Sequence, residues 1–395
     1  MKEGWEEKKL SDLYDVRDGT HDSPKYHENG YPLVTSKNLR GGILDMSNVS
    51  YISEVDYKAI NNRSKVDIGD VLFAMIGTIG NPVYVQTEPN YAIKNMALFK
   101  VPSNQSGKFL RYYLLNNNVL LKMQKEAKGT TQKFVSLGYL RNFLIKIPSL
   151  SEQQSIVDYL DSAFAKIDAM KTNAEKAFNE AKALFQASLK EMLEPKEGWE
   201  EKTLGDIAVD SADGPFGSNL KKEHYTTNKE VRIIQLSNIG EDGWREENTK
   251  YTTFDHLQNI SRSEVEPNDI VIAKMMPAGR AILCPSHEKK FVLSSDAVKI
   301  KLKKGLDTRF VLHSINSPYF RKEVYDNVTG SGRVRTSLTK LRACNIYLPS
   351  IAEQQSIVAT LDSLKSKVDR LQENFDKISQ ECDALKQSIL RQVFE

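Results

Sequence analysis

Little in this sequence invites covalent or metal chemistry. Its three cysteines (Cys284, Cys344 and Cys382) stand far apart in 395 residues, so there is neither a disulfide framework nor a Cys-x-x-Cys metal site. A reducing cytoplasm suits such a chain. No apolar run reaches the roughly 18 residues of a spanning helix, and the start, Met1 to Glu7, lacks the apolar core of a secretory signal. Lys and Arg outnumber Asp and Glu by only 55 to 52, a net charge of +3, so any affinity for nucleic acid has to come from where the charge sits. There is no Gly-x-x-x-x-Gly-Lys-Ser/Thr phosphate loop, no His-Glu-x-x-His and no Pro-Asp…Glu-x-Lys, which argues against an ATP motor, a zinc hydrolase and a nuclease of those types. His21 and His27 are neighbours without the carboxylate or thiol pattern of a metal site. The 40 % hydrophobic and 27 % charged residues are the composition of a globular chain of two or three domains.

The chain repeats itself, and the repeat sets the architecture. KEGWEEK occurs at residues 2–8 and again at 196–202, and EQQSIV at 152–157 and again at 353–358. Between these anchors, residues 66–74 align with 265–273, Asn38-Leu39 with Asn238-Ile239, and Ser136-Leu137 with Ser337-Leu338. The offset is 194 at Trp5/Trp199, 200 at Asn38/Asn238, 199 at Asp70/Asp269 and 201 from Phe109/Phe310 onward. Insertions therefore fall inside each globular part and leave its ends fixed. Two copies of one fold present different loops, and loops carry recognition.

The fixed segments are expected to be long helices. From Ser149 to Glu194 there is no Gly or Pro, and Ser149-x-x-Glu152 and Ser350-x-x-Glu353 are capping-box patterns. Ser151 is a competing cap, but its counterpart is Ala352, which favours Ser149 and Ser350. Apolar residues then recur at spacings of four and three: Ile156, Leu160, Ala163, Ile167, Met170, Ala174, Ala177, Ala181 and Leu184 in the first copy. In the second they are Ile357, Leu361, Leu364, Val368, Leu371, Phe375, Ile378, Cys382, Leu385 and Ile389. This heptad seam predicts a coiled coil of one helix against the other, small residues of the first facing large ones of the second. A pseudo-two-fold axis makes the pair antiparallel. Some 40 helical residues span roughly 60 Å, so the pair reads as a ruler with a globular unit at each end.

The globular units combine short strands, such as Val71–Ala74 and Ile270–Ala273, with helices and turns, an α+β pattern. Their basic, acid-poor stretches are candidate contacts to nucleic acid. Gly129-Thr130-Thr131-Gln132-Lys133 and its counterpart Gly330-Ser331-Gly332-Arg333-Val334-Arg335 join glycine, hydroxyl or amide groups and cations, suited to phosphate and, through Arg, to guanine. Lys221 and Lys222 follow the turn-rich Gly214–Leu220 stretch. Arg280 follows a strand and Gly279, and Lys37 and Arg40 complete the candidate set. Trp5 and Trp199 are expected to seat their units, and Phe216 to pack within its loop. Asn81-Pro82-Val83-Tyr84 resembles the Asn-Pro-Pro-Tyr of amino-methyltransferases, but its third residue differs and its counterpart, Arg280–Leu283, keeps none of it.

The combined pattern resembles the specificity subunits of Type I restriction–modification systems. The resemblance covers the whole chain and rests on the paired Gly-Trp openings (Gly4-Trp5, Gly198-Trp199) and the paired helix starts Pro148-Ser149-Leu150-Ser151-Glu152-Gln153 and Pro349-Ser350-Ile351-Ala352-Glu353-Gln354. Gly214-Pro215-Phe216-Gly217-Ser218 also looks like a family segment, which the first copy replaces by Asp18-Gly19-Thr20-His21-Asp22-Ser23. The resemblance implies a non-catalytic chain with target-recognition domains at 1–148 and 196–349 and spacer helices at 149–195 and 350–395. Each domain would read one half of a bipartite DNA target. The helix pair would set the spacer and dock two methyltransferase subunits. The chain would hold no cofactor itself. S-adenosylmethionine would belong to the methyltransferases, and ATP and Mg to a restriction subunit where one is present.

Overall fold

A computed structural model describes residues 4–129, 133–327 and 335–395. The chain folds into two units, Met1–Glu175 with Asn374–Glu395, and Lys176–Glu373. The dividing points lie inside the two long helices, Leu150–Met192 and Ile351–Phe394, so each unit owns a segment of both.

The two units repeat one plan. Each holds a four-stranded antiparallel sheet, in the order Asp15–Asp18, Met96–Lys100, Val71–Ala74, Gly80–Tyr84 in the first, and Ala208–Asp213, Ala297–Leu302, Ile270–Ala273, Ala281–Leu283 in the second. The strands Val71–Ala74 and Ile270–Ala273 are buried at every residue, which is why they read as continuous apolar runs. A second sheet, three-stranded in the first unit and five-stranded in the second, is built on a parallel pair, Tyr31–Thr35 with Ala92–Lys94 and Val231–Ile234 with Phe291–Leu293. A two-stranded ribbon ties each unit's opening to the strand before its long helix, Glu6–Lys9 to Leu144–Ile147 and Glu200–Thr203 to Asn345–Leu348.

The repeated words have physical jobs at these joints. Ser149 and Ser350 cap the long helices, each accepting from the backbone N–H three residues on (3.3 Å). Glu152 does not close the expected capping box on its own N-cap. It accepts from Trp5 Nε1 (2.8 Å) and so fastens the helix to the opening of the unit. Gln153 and Gln354 are buried. Each donates to the carbonyl of the proline five residues back (Pro148, 3.0 Å; Pro349, 2.9 Å) and accepts a backbone N–H of its unit (Ser106 and Asp307, 3.0 Å each). Buried amides satisfied on both ends fix one geometry.

Within each unit the helix segments run antiparallel. In the first, Asp168 meets Lys386 (2.5 Å) and Lys171 meets Asp383 (3.8 Å). Leu390 and Phe394 enter its core, Phe394 lying edge-on to Phe109 (5.5 Å) and Tyr113 (5.3 Å). In the second, Phe185 and Leu189 join one core with Ile357, Val358, Leu361 and Val368.

The seam of the first helix corrects the sequence reading. Leu160 and Ile167 are buried, but Met170 is 57 % and Leu184 58 % exposed. The inward positions of that half of the heptad are one residue later: Val157, Phe164, Phe178 and Phe185. Phenylalanines bury more area than the alanines they flank and rotate the apolar stripe by one position. The seam therefore carries large residues where a small-on-large fit was expected. In the second helix Leu385 is 47 % exposed. Its neighbour Lys386 turns inward, its Nζ over the Phe164 ring at 5.1 Å. Ile156, Leu364, Leu371, Phe375 and Ile378 are half-buried. Among the described residues no helix is long and apolar enough to cross a membrane.

Candidate nucleic-acid interface

In the second unit, two segments far apart in sequence meet at one end of the four-stranded sheet. Lys274 follows the buried strand Ile270–Ala273 and is itself 6 % exposed, with Nζ 2.6 Å from Asp213 Oδ1. Thr336 N donates to the Lys274 carbonyl (2.9 Å), lacing the Arg335–Lys340 stretch to the strand end. Arg335 donates to Asp296 Oδ1 (2.5 Å) and Lys340 Nζ to the Asn327 carbonyl (2.7 Å). The loop after Asp213 brings Phe216 to the same place. The sequence reading packed this ring within its loop, but it is 74 % exposed. Gly214 has no alternative residue, because a Cβ there would lie 1.7 Å from the Ser294 carbonyl oxygen. Together these groups line a cleft of about 620 Å³.

The first unit builds the same place with other side chains. Backbone bridges align Ile76–Phe134 with Met275–Arg335, and Val135 N donates to the Met75 carbonyl (2.9 Å) as Thr336 does to Lys274. Met75, Phe134, Val135 and Tyr139 thus stand where Lys274, Arg335, Thr336 and Lys340 stand in the second unit. The loop beside them is polar. Asp18 is buried and meets Arg63 and His21. The His21 ring faces two oxygens, Asn95 Oδ1 at 2.9 Å and Asp18 Oδ2 at 2.8 Å. Two acceptors ask for two ring protons, and the bonds to Asn95 and then Asp18 raise its pKa above the ordinary 6.5. Ser36 Oγ donates to the Asn95 carbonyl (2.8 Å), which brings exposed Lys37 to this surface, and Arg40 Nε donates to the Lys37 carbonyl (2.9 Å).

The other candidates scatter. Lys133 is exposed beside Phe134, and its carbonyl accepts from Gly77 N (2.9 Å). Lys221 and Lys222 are exposed, at a short turn and away from the cleft lining. Arg280 is not a free cation on this surface. It is half-buried, with Nη2 on the Leu236 carbonyl (3.4 Å), and burial lowers its pKa. Thr130, Thr131, Gln132 and Arg333 lie outside the described residues. Sequence reasoning missed Lys274 and Thr336 as site residues and reached Lys340 only as the continuation of the basic stretch after Arg335. The one available signal was a lysine directly after a fully apolar strand, where the other copy has methionine. Among the described residues no group of His, Cys, Asp and Glu is arranged to hold a metal.

A second kind of concavity occurs in each unit, against the helix segments. In the second unit it holds about 530 Å³, lined by Phe185, Leu189, Trp244, Leu312, His313 and Asp362 among others. In the first it holds about 350 Å³ and includes Arg111, Phe164, Lys386 and Leu390. In the second, Asp362 on the wall meets Arg309 (2.8 Å) and His313 (3.4 Å); in the first, the repeat-equivalent Asp161, outside the lining, meets Lys108 (2.8 Å) and Tyr112 (2.5 Å). Burial lowers the His313 pKa below 6.5 despite the Asp362 carboxylate.

Comparison with known proteins gives one answer for both copies. A family model described as the Type I restriction modification DNA specificity domain matches residues 2–177 and again 196–380. The chain is 21 % identical to the StySPI specificity subunit of Salmonella potsdam, over all of this chain and 89 % of that one. It is 23 % identical to the MjaVIII specificity subunit of Methanocaldococcus jannaschii, over 85 % of this chain and 80 % of that one. In fold it is similar to a chain from a structure of type I R-M complex assembly and conformational transition (TM-score 0.75, 17 % identity, 100 % and 98 % of the two chains). It is also similar to the HsdS subunit from Thermoanaerobacter tengcongensis (TM-score 0.55, 18 % identity, 100 % and 97 %).

Proposed function

Because this chain belongs to the family of Type I restriction–modification specificity subunits, in which catalysis lies in partner subunits, we propose that each unit reads one half of a bipartite DNA target. Two units of one fold carry different side chains at equivalent places, and different side chains on one scaffold suit two different sequences. Lys and Arg supply salt-dependent affinity for phosphates, and a few loop side chains read base edges. Joining two modest readers in one chain makes binding depend on both half-sites at the right separation, which the helix pair sets. The paired concavities against the helix segments favour two copies of one partner, the methyltransferase subunit, which supplies S-adenosylmethionine chemistry on adenine. Where a restriction subunit using ATP and Mg is present, it joins the same assembly, which works on chromosomal DNA in the cytoplasm.

The test is a base-resolution map of modified adenines in cells with and without this chain, the partner methyltransferase being present in both. A split motif of two short half-sites that appears only with the chain is the expected result. Unchanged methylation with the complex assembled would overturn the reading. Lengthening both helices by whole heptads is expected to change the spacer and leave both half-sequences as they were.

A further inference from the structure

We propose that the cleft beside Phe216 in the second unit seats one backbone phosphate of DNA, with the Phe216 ring laid against the adjoining nucleotide. This rests on the DNA-reading function above and adds a contact that the first unit lacks.

The lining carries three cations, Lys274, Arg335 and Lys340, against two carboxylates, Asp213 and Asp296. The surplus of one positive charge equals the charge of one phosphodiester. The cations are held ready. Lys274 is fixed by Asp213 (2.6 Å), Arg335 by Asp296 (2.5 Å) and Lys340 by the Asn327 carbonyl (2.7 Å). Each keeps further N–H donors, since an ammonium has three and a guanidinium five. An unused donor marks the acceptor's place. Thr336 is only 7 % exposed, lines the cleft, and its Oγ1 has no hydrogen-bond partner. A buried hydroxyl left unpaired is costly unless a ligand oxygen completes it. Phe216 supplies the neighbouring contact. Its carbonyl is held in a turn by Asn219 N (2.7 Å), and its exposed ring stands at the cleft with Gly217 beside it. On a duplex, an apolar ring beside a cationic groove packs along the groove wall or wedges at a base step without reading the sequence. At the equivalent place the first unit has Met75, Phe134, Val135 and Tyr139, none of them a cation, and Val135 has no hydroxyl where Thr336 has one.

The experiment measures equilibrium binding of the complex, assembled with its methyltransferase subunits, to duplexes carrying the mapped target over a range of salt concentrations. Lys340→Gln is expected to reduce the slope of log affinity against log salt by about 0.9, one phosphate's worth. It should weaken binding to target and unrelated DNA alike. Phe216→Ala, an exposed change that leaves the fold intact, is expected to weaken binding about tenfold with the slope unchanged. A walk of single neutral methylphosphonates through the second unit's half-site should find one position that weakens the wild-type complex and adds nothing in Lys340→Gln or Thr336→Val. Penalties that add at every position, or a wild-type slope in Lys340→Gln, would overturn the phosphate seat. Competition by inorganic phosphate beyond that of chloride at equal ionic strength would make the cleft a free-anion site and overturn the DNA assignment. A wild-type complex with no preference for the mapped target would instead remove the function reading beneath it.

Discussion

Where the second unit places Lys274, Arg335, Thr336 and Lys340, the first places Met75, Phe134, Val135 and Tyr139, on backbones bridged in the same way. The scaffold does not decide the chemistry of its surface. Strand ends and loops are fixed by buried apolar runs and by glycines at close approaches. Gly19 and Gly214 are shared for this reason, a Cβ on either striking a carbonyl oxygen (Ile93 at 2.4 Å, Ser294 at 1.7 Å). The residues that project from those ends are free to differ. One unit concentrates cations at its cleft; the other places a histidine between a carboxylate and an amide.

The contrast between the units sets an order of expected effects. The largest effect is expected at the helices, where Phe185 of the second unit and Lys386 of the first occupy repeat-equivalent positions. Phe185→Ala should cost about 3 to 5 kcal/mol by leaving a cavity, against about 0.5 kcal/mol for its exposed neighbour Leu184→Ala, both read by chemical denaturation. Equal losses would restore the seam through Leu184. Next, Gly214→Ala should cost about 3 kcal/mol, more than Gly19→Ala, because the closer carbonyl has less room to give; a reversed order would mean that the strand ends are not held alike. Removing Asp213 should cost about 2 kcal/mol, since it leaves the Lys274 ammonium buried without its partner. Lys274→Met, which installs the first unit's residue, should cost less than half of that and take away DNA affinity instead.

The smallest effect is on pH, and its sign differs between the units. His21 has a raised pKa in the folded chain, so its contribution is full below 6.5 and is lost as pH rises through the folded value. His313 has a lowered one. Below 6.5 the unfolded chain takes up a proton that the folded chain refuses, so the second unit loses stability as pH falls toward the folded value. Thermal melts across about pH 5 to 8 should show acid weakening the second unit relative to the first, and His313→Gln should flatten that trend.

Much of this fold is legible in one sequence because the repeat supplies its own comparison. EQQSIV marks the helix starts, and the burial of Gln153 and Gln354 explains why an amide recurs there. The apolar runs at Val71 and Ile270 mark the central strands. The seam is half legible: Leu160 and Ile167 lie on it, but periodicity alone does not separate Ile156 and Ala163 from Val157 and Phe164, one residue on. Volume does, and the aromatic positions carry it. The candidate site is less legible. Phe216 and Arg335 stand in turn-rich or basic stretches that a sequence flags, whereas Lys274 meets Asp213 across 61 residues, and only the sheet brings them together. The free hydroxyl of Thr336 is a fact of packing that no pattern encodes.

The first unit is completed by Asn374–Glu395, and the whole of the second, Lys176–Glu373, is synthesised in between. Leu390 and Phe394 fill the core that Phe109 and Tyr113 begin. On the ribosome, then, the unit started first is finished last. The nested unit has all of its own residues first, while its elder waits with an open hydrophobic gap. A chain cut before Asn374 would hold every residue of one reader and leave the other without the Leu390 and Phe394 side chains that close its core.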